Sequence, residues 1–145
     1  MQNDTLRRHS NERKRRSGNC KTGSKGGWKM INIKPLIVKM LKESKVDIYE
    51  EYPSDFNKLP CICYTEEENS TYSFTDKEEY SRVSYRIDIW NTTSTSDLAL
   101  AVDNIMQGRG FKRVFSFDSN DDYYKHKVLR YSAIIHNQSL RIFKE

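Results

Sequence analysis

Cysteine is scarce in this chain of 145 residues: Cys20, Cys61 and Cys63 are the full set. An odd number, two of them one residue apart, excludes the paired framework that staples small secreted domains, so a reducing compartment is expected. Long apolar runs are missing too. Nothing approaches the roughly 18 apolar residues of a membrane span, and residues 1–29 lack the apolar stretch of a secretory signal. The expectation is therefore a protein without membrane contact, made in the cytoplasm. A Gly-rich phosphate loop is also absent, since Gly108-Arg109-Gly110 is too short for a dinucleotide fingerprint and closes a helical pattern instead of opening one. His9, His126 and His136 form no helix-spaced pair, and on one strand the last two would stand about 33 Å apart. Surface or turn positions are expected for them.

What the chain does contain is charge and aromatic area. The charged fraction is 31% against 36% hydrophobic, with nine Tyr, six Phe and two Trp. A thin core built from few large side chains follows. The formal charge of +5 is unevenly placed: residues 1–29 hold nine Lys or Arg and two acids, leaving a net of −2 for residues 30–145. Residues 1–29 have almost no apolar side chains to offset chain entropy, so a disordered basic extension is expected there. Lys25-Gly26-Gly27-Trp28-Lys29-Met30 can be encoded by AAA GGA GGN TGG AAA ATG, a bacterial ribosome-binding sequence at a customary spacing before Met30. We therefore expect Met30 to be the start and residues 1–29 to be an upstream overrun.

Residues 30–145 form one expected α+β assembly domain in the order α-β-β-β-α-β-β-β. Ile33, Ile37, Met40 and Leu41 have helical spacing, with Asn32 as a cap and Pro35 in the first turn. Val46 to Tyr52 and Cys61 to Thr65 read as strands bounded by Pro53 and Pro60. Residues 66–79 carry six acids and only Tyr72 and Phe74 as apolar groups, which suggests a long hairpin arm or a loop. From Tyr80 to Asn91 the alternation is clearest: Val83, Tyr85, Ile87 and Ile89 face a core, Arg82, Ser84, Arg86 and Asp88 face solvent. A helix with the stripe Leu98, Ala101, Val102 and Ile105 follows, opened by Ser94 and ended by glycines. Phe111, Phe115 and Phe117 then share one side of a strand. Two more strands, one from His126 to Ile135 with Leu129, Tyr131, Ala133 and Ile135 inward, complete an antiparallel or mixed sheet with both helices on one face.

No constellation for chemistry emerges. Cys61 and Cys63 share a strand face among apolar neighbours, which suits buried core thiols better than metal ligands. Glu66-Glu67-Glu68 and Asp121-Asp122 resemble solvated acid runs, with nothing to fix them against each other. No nucleophile and base pair is visible, so no enzyme activity, catalytic residue, cofactor or metal is expected.

Several segments together resemble the tail terminator, or tail-completion, family of long-tailed bacteriophages: the opening helix INIKPLIVKMLKES, the stretch IYEEYPSDFNKLPCICYTEEEN, the strand YSRVSYRIDIWN running into STSDLALAVDNIM, then GFKRVFSFDS and a final hairpin. The resemblance covers residues 30–145. It implies a lambda-type terminator fold and a structural virion protein that forms a homo-oligomeric ring, commonly hexameric, at the head-to-tail junction. The ring would cap the tail tube, meet the tail tube protein and the head-tail connector proteins, and let DNA pass only through its lumen. Another head-tail joining or tail protein is the nearest alternative, and a small nucleic-acid-binding protein using the basic arm is a second. For a ring contact, the acidic arm offers Glu66, Glu67, Glu68, Glu78 and Glu79 with Tyr72 and Phe74 as anchors. Arg82, Arg86, Arg109, Lys112 and Arg113 are the expected basic counterpart.

A chain started at Met30 should melt within a few degrees of the full chain, because residues 1–29 carry no apolar periodicity. A larger drop in calorimetry would show that the segment packs.

Overall fold

A computed structural model describes residues 30–72 and 80–144. The basic extension 1–29 lies outside them, as do Phe74, Glu78 and Glu79 of the expected arm. The protein is α+β, with a curled mixed sheet and two helices. Its elements are α1 (Lys34–Leu41) with a 3-10 turn at Lys42–Ser44, β1 (Asp47–Glu50), β2 (Cys61–Thr71), β3 (Tyr80–Asn91), α2 (Ser96–Gly108), β4 (Lys112–Asn120), β5 (Lys125–His136) and β6 (Ile142–Phe143). No helix among the described residues is long and apolar enough to cross a membrane.

The strand order is β1-β2-β3-β5-β4, with β6 paired to the far end of β5. Every pairing is antiparallel except β1 with β2. A parallel neighbour needs a crossover connection, and residues 51–60 supply it without a helix. Glu51 turns the chain out of β1 with a left-handed φ of 65°, and its N–H donates to the Tyr64 carbonyl at 2.9 Å. The connection then lies across the sheet face opposite the helices.

Both helices pack on the other face. The cap position of α1 is Ile33 and not the expected Asn32, which stands one residue earlier with its Oδ1 accepting from Lys34 N at 3.1 Å, and Pro35 lies in the first turn. Ile37, Met40 and Leu41 then bury against Val83, Tyr85, Ile87 and Ile89 of β3 and Leu129, Tyr131, Ala133 and Ile135 of β5. On α2 the buried stripe is Ala99, Val102 and Met106, one position away from the expected one, with Leu98 and Ile105 at its margins. The spacing of three and four residues is the same; the sheet selects which arc of a broadly apolar helix is covered. Asp103 fastens α2 to the sheet. Its Oδ1 accepts from the Tyr131 hydroxyl at 2.8 Å and its Oδ2 faces Arg113 at 2.9 Å.

Two bulges depart from the sequence reading. One inserts Glu67 between Glu66 and Glu68 in β2. Of the two readings of this segment, residues 66–71 follow the hairpin arm and not the loop, and each glutamate finds its own partner: Glu66 accepts from the Tyr85 hydroxyl at 2.9 Å, Glu67 pairs with Arg130 at 3.1 Å, and Glu68 accepts from Ser70 at 2.8 Å. The other inserts Val114 between Arg113 and Phe115 in β4. An extra residue reverses facing beyond it. Phe111 is consequently buried, whereas Phe115 and Phe117 stand 49% and 39% exposed on the opposite face.

Gly110 ends α2 with φ 103°, and a Cβ there would sit 3.0 Å from Ile142 Cγ2 and 3.2 Å from the Ile142 carbonyl oxygen. Gly108 has open space around it. Gly110→Ala should therefore cost about 1–3 kcal/mol, while Gly108→Ala should be neutral or stabilise by up to about 1 kcal/mol. Urea denaturation checks both, and equal midpoints would show that Gly110 is not conformationally required.

Candidate functional site: a cavity on the face opposite the helices

Strand β3 is covered on both sides. Besides its core residues it presents Arg82, Ser84, Arg86, Asp88 and Trp90 to the second face, where the sequence suggested solvent. Asp88 is only 5% exposed and Trp90 7%. The crossover explains this: its Phe56 and Leu59 pack with Trp90, Cys61, Cys63, Tyr49 and Tyr124 into a satellite cluster. Both thiols of the Cys-x-Cys pair belong here and not to the helix-side core. The hydrogen bond between them holds Cys61 below the usual thiol range, and the same bond, with burial, pushes Cys63 up.

A buried carboxylate must be paired to stay charged. Asp88 accepts three hydrogen bonds of 3.0–3.1 Å from the Arg86 guanidinium, and its Oδ1 lies 2.6 Å from His126 Nε2. His126 in turn stacks on Trp90, ring centroids 3.8 Å apart and planes within 9°. Its side chain is 11% exposed, so it is neither a surface nor a turn histidine. Cross-strand register brings the group together, since Trp90 stands opposite His126 and Arg86 opposite Arg130. Two arginines directly opposite would repel; each instead has its own acid, Asp88 for Arg86 and Glu67 for Arg130.

These side chains form the floor of a cavity of about 630 Å³. Glu51 and Tyr52 of the crossover make one wall, and Ser119 and Asp121 from the end of β4 make the other. Tyr52 leans on Trp90 and Phe56 at centroid distances of 6.2 and 6.3 Å. Among the described residues neither Glu51 nor Asp121 meets a cation within ion-pair distance, although Asp121 accepts from the Asp122 N–H at 3.0 Å. One face of Trp90 is taken by the His126 stack, so the exposed carboxylates of Glu51 and Asp121 are what give the rim its negative charge. No set of three or more His, Cys, Asp or Glu side chains able to hold a metal ion occurs among the described residues.

Of the expected interface residues, Arg86, Arg109 and Arg113 are engaged within the chain, by Asp88, Glu43 and Asp103. Arg82 lies over the ring of exposed Tyr72, 5.3 Å from its centroid, and Lys112 is exposed at the start of β4. Glu66, Glu67 and Glu68 are divided between the two faces. The sequence reading missed Glu51, Tyr52, Asp88, Trp90, Ser119 and His126 as a group; its one signal was a carboxylate, Asp88, among aliphatic strand residues.

Arg86→Ala leaves a buried carboxylate with a single partner, and should destabilise the protein by about 2–3 kcal/mol after allowing for the exposure of the guanidinium. Ser84→Ala, two residues earlier on the same face, should stay within about 0.5 kcal/mol. Equal denaturation midpoints for the two variants would show that the Arg86–Asp88 pair contributes nothing.

Compared with models of known protein families and with curated proteins, the chain matches none.

Proposed function

We propose that the chain is a non-enzymatic ring subunit at the head-to-tail junction of a tailed bacteriophage, capping the tail tube and joining it to the head connector, with a fold of the tail terminator kind. One observation carries this reading. Strand β4 pairs with β5 alone among the described strands, and its open edge and second face bear Val114, Phe115 and Phe117, all exposed, with Tyr123 beyond them. Phe115 and Phe117 touch, ring centroids 5.4 Å apart, and the Arg130 guanidinium covers part of Phe115.

Exposed aromatic side chains along an unpaired edge invite association, and a monomer ordinarily blunts such an edge with charge or covers it. A subunit that meets its neighbour there has reason to keep it. A closed ring also needs two different complementary surfaces on each copy, and the helix layer and the open sheet face of this domain are chemically distinct. The basic segment 1–29 favours the nucleic-acid alternative only if the chain binds DNA and loses that binding when those residues are removed.

The full chain should sediment as one discrete oligomer and appear as uniform rings in negative-stain electron microscopy. Phe115→Ser combined with Phe117→Ser should weaken that assembly by about tenfold or more without lowering the melting temperature. A protein that remains monomeric at high micromolar concentration would sink the ring reading.

A further inference from the structure

We infer that the two borders of the sheet pair with each other between copies: the outer edge of β4 in one subunit lies antiparallel along the outer edge of β1 in the next, so that the sheet runs on from copy to copy. This rests on the ring reading and names the contact by which one subunit joins its neighbour.

Both borders offer unpaired backbone. Among the described residues β1 pairs with β2 alone and β4 with β5 alone. The remainder of each border is less able to take a strand. Beyond β1 the edge of β2 is blunted by the Glu67 bulge and three successive glutamates, and beyond β4 the border is β6, two residues long. An open strand is a template for another strand, and charge is one of the usual means of blocking it. β4 instead carries exposed Val114, Phe115 and Phe117. Its own bulge lies near its start and leaves Phe115–Asn120 in regular register with β5, a longer stretch than the four residues of β1.

The direction follows from the topology. β1 is parallel to β2, and three antiparallel pairings separate β2 from β4, so β4 runs opposite to β1. A copy set beside another in the same orientation therefore brings these two edges together antiparallel, the more stable arrangement. Paired strands must also keep their side chains on common faces. On the face away from the helices β1 shows Asp47 and Tyr49, opposite Cys61 and Cys63, and β4 shows Phe115 and Phe117. Setting Tyr49 against Phe115 puts Asp47 against Phe117 and Ile48 against Ser116.

The order of charges agrees with this alignment. β4 opens on Lys112-Arg113 and closes toward Asp118, whereas β1 follows Lys45 and ends at Glu50-Glu51. Antiparallel, the basic end of each edge meets the acidic end of the other; parallel, like charges would meet, which is destabilising. The same order would suit β4 against β4 of a two-fold mate, but that pairing ends after two copies and leaves both β1 edges bare. β4 against β1 is heterologous and continues around a ring.

Amide hydrogen exchange on the full, unaltered chain tests this. Alternate backbone amides of Asp47–Glu50 and of residues 115–119, those that point outward, should exchange at least about tenfold more slowly in the assembled protein than at a dilution where it sediments as single subunits. Cross-linking tests the alignment: in a chain carrying Cys20→Ser, Asp47→Cys and Phe117→Cys, oxidation with diamide should join position 47 of one copy to position 117 of the next, giving a ladder of linked subunits on a denaturing gel. Rings whose β1 amides gain no protection, or whose links join position 117 only to position 117, overturn the edge pairing and leave the ring reading standing. A particle of two copies, or an unaltered chain that stays monomeric at high micromolar concentration, overturns both.

Discussion

The carboxylate of Asp88 is the constraint around which the second face of the sheet is organised. Buried in the middle of an apolar strand, it would cost several kcal/mol if left unpaired. Arg86 and His126 satisfy it from the same strand and from the next. Holding His126 in that place also sets the imidazole flat on Trp90, and Trp90 is the surface on which Phe56 of the crossover rests. One buried charge thus links β3, β5 and the connection between β1 and β2, and the cavity is the space that remains above the arrangement.

The sheet accordingly has two unlike sides. Toward the helices it is largely aliphatic and aromatic: the Tyr131 hydroxyl donates to Asp103 of α2, the Tyr85 hydroxyl donates to Glu66 on the neighbouring strand, and both phenols are pushed well above the usual range, first by burial and then by those bonds. Toward the other side it carries the Trp90, Cys61 and Cys63 cluster under the crossover, with the charged cavity beside it and exposed aromatic groups on β4. Such asymmetry gives the domain two chemically distinct surfaces, which is what the proposed ring contact requires.

Local pattern carried much of the architecture. The period-two alternation of Val83, Tyr85, Ile87 and Ile89 and of Leu129, Tyr131, Ala133 and Ile135 is a local property of each segment, and it placed these residues on the core face. Helical spacing did the same for Ile33, Ile37, Met40 and Leu41. The two bulges were not legible, because an inserted residue leaves the local pattern intact on each side and is defined only by the partner strand. That is why Phe115 and Phe117 were grouped with Phe111, and why three consecutive glutamates read as a solvated run.

What the sequence by itself determined is the α+β class, the two helices and the core strands, since apolar periodicity obliges each segment to bury one face. The tertiary structure alone decided that β1 lies parallel to β2, so that a connection without regular structure must cross the sheet and cover Trp90, Cys61 and Cys63. It also decided the site. Glu51, Asp88, Asp121 and His126 are separated by up to 75 positions in the chain, and only strand register and that crossover bring them to one cavity.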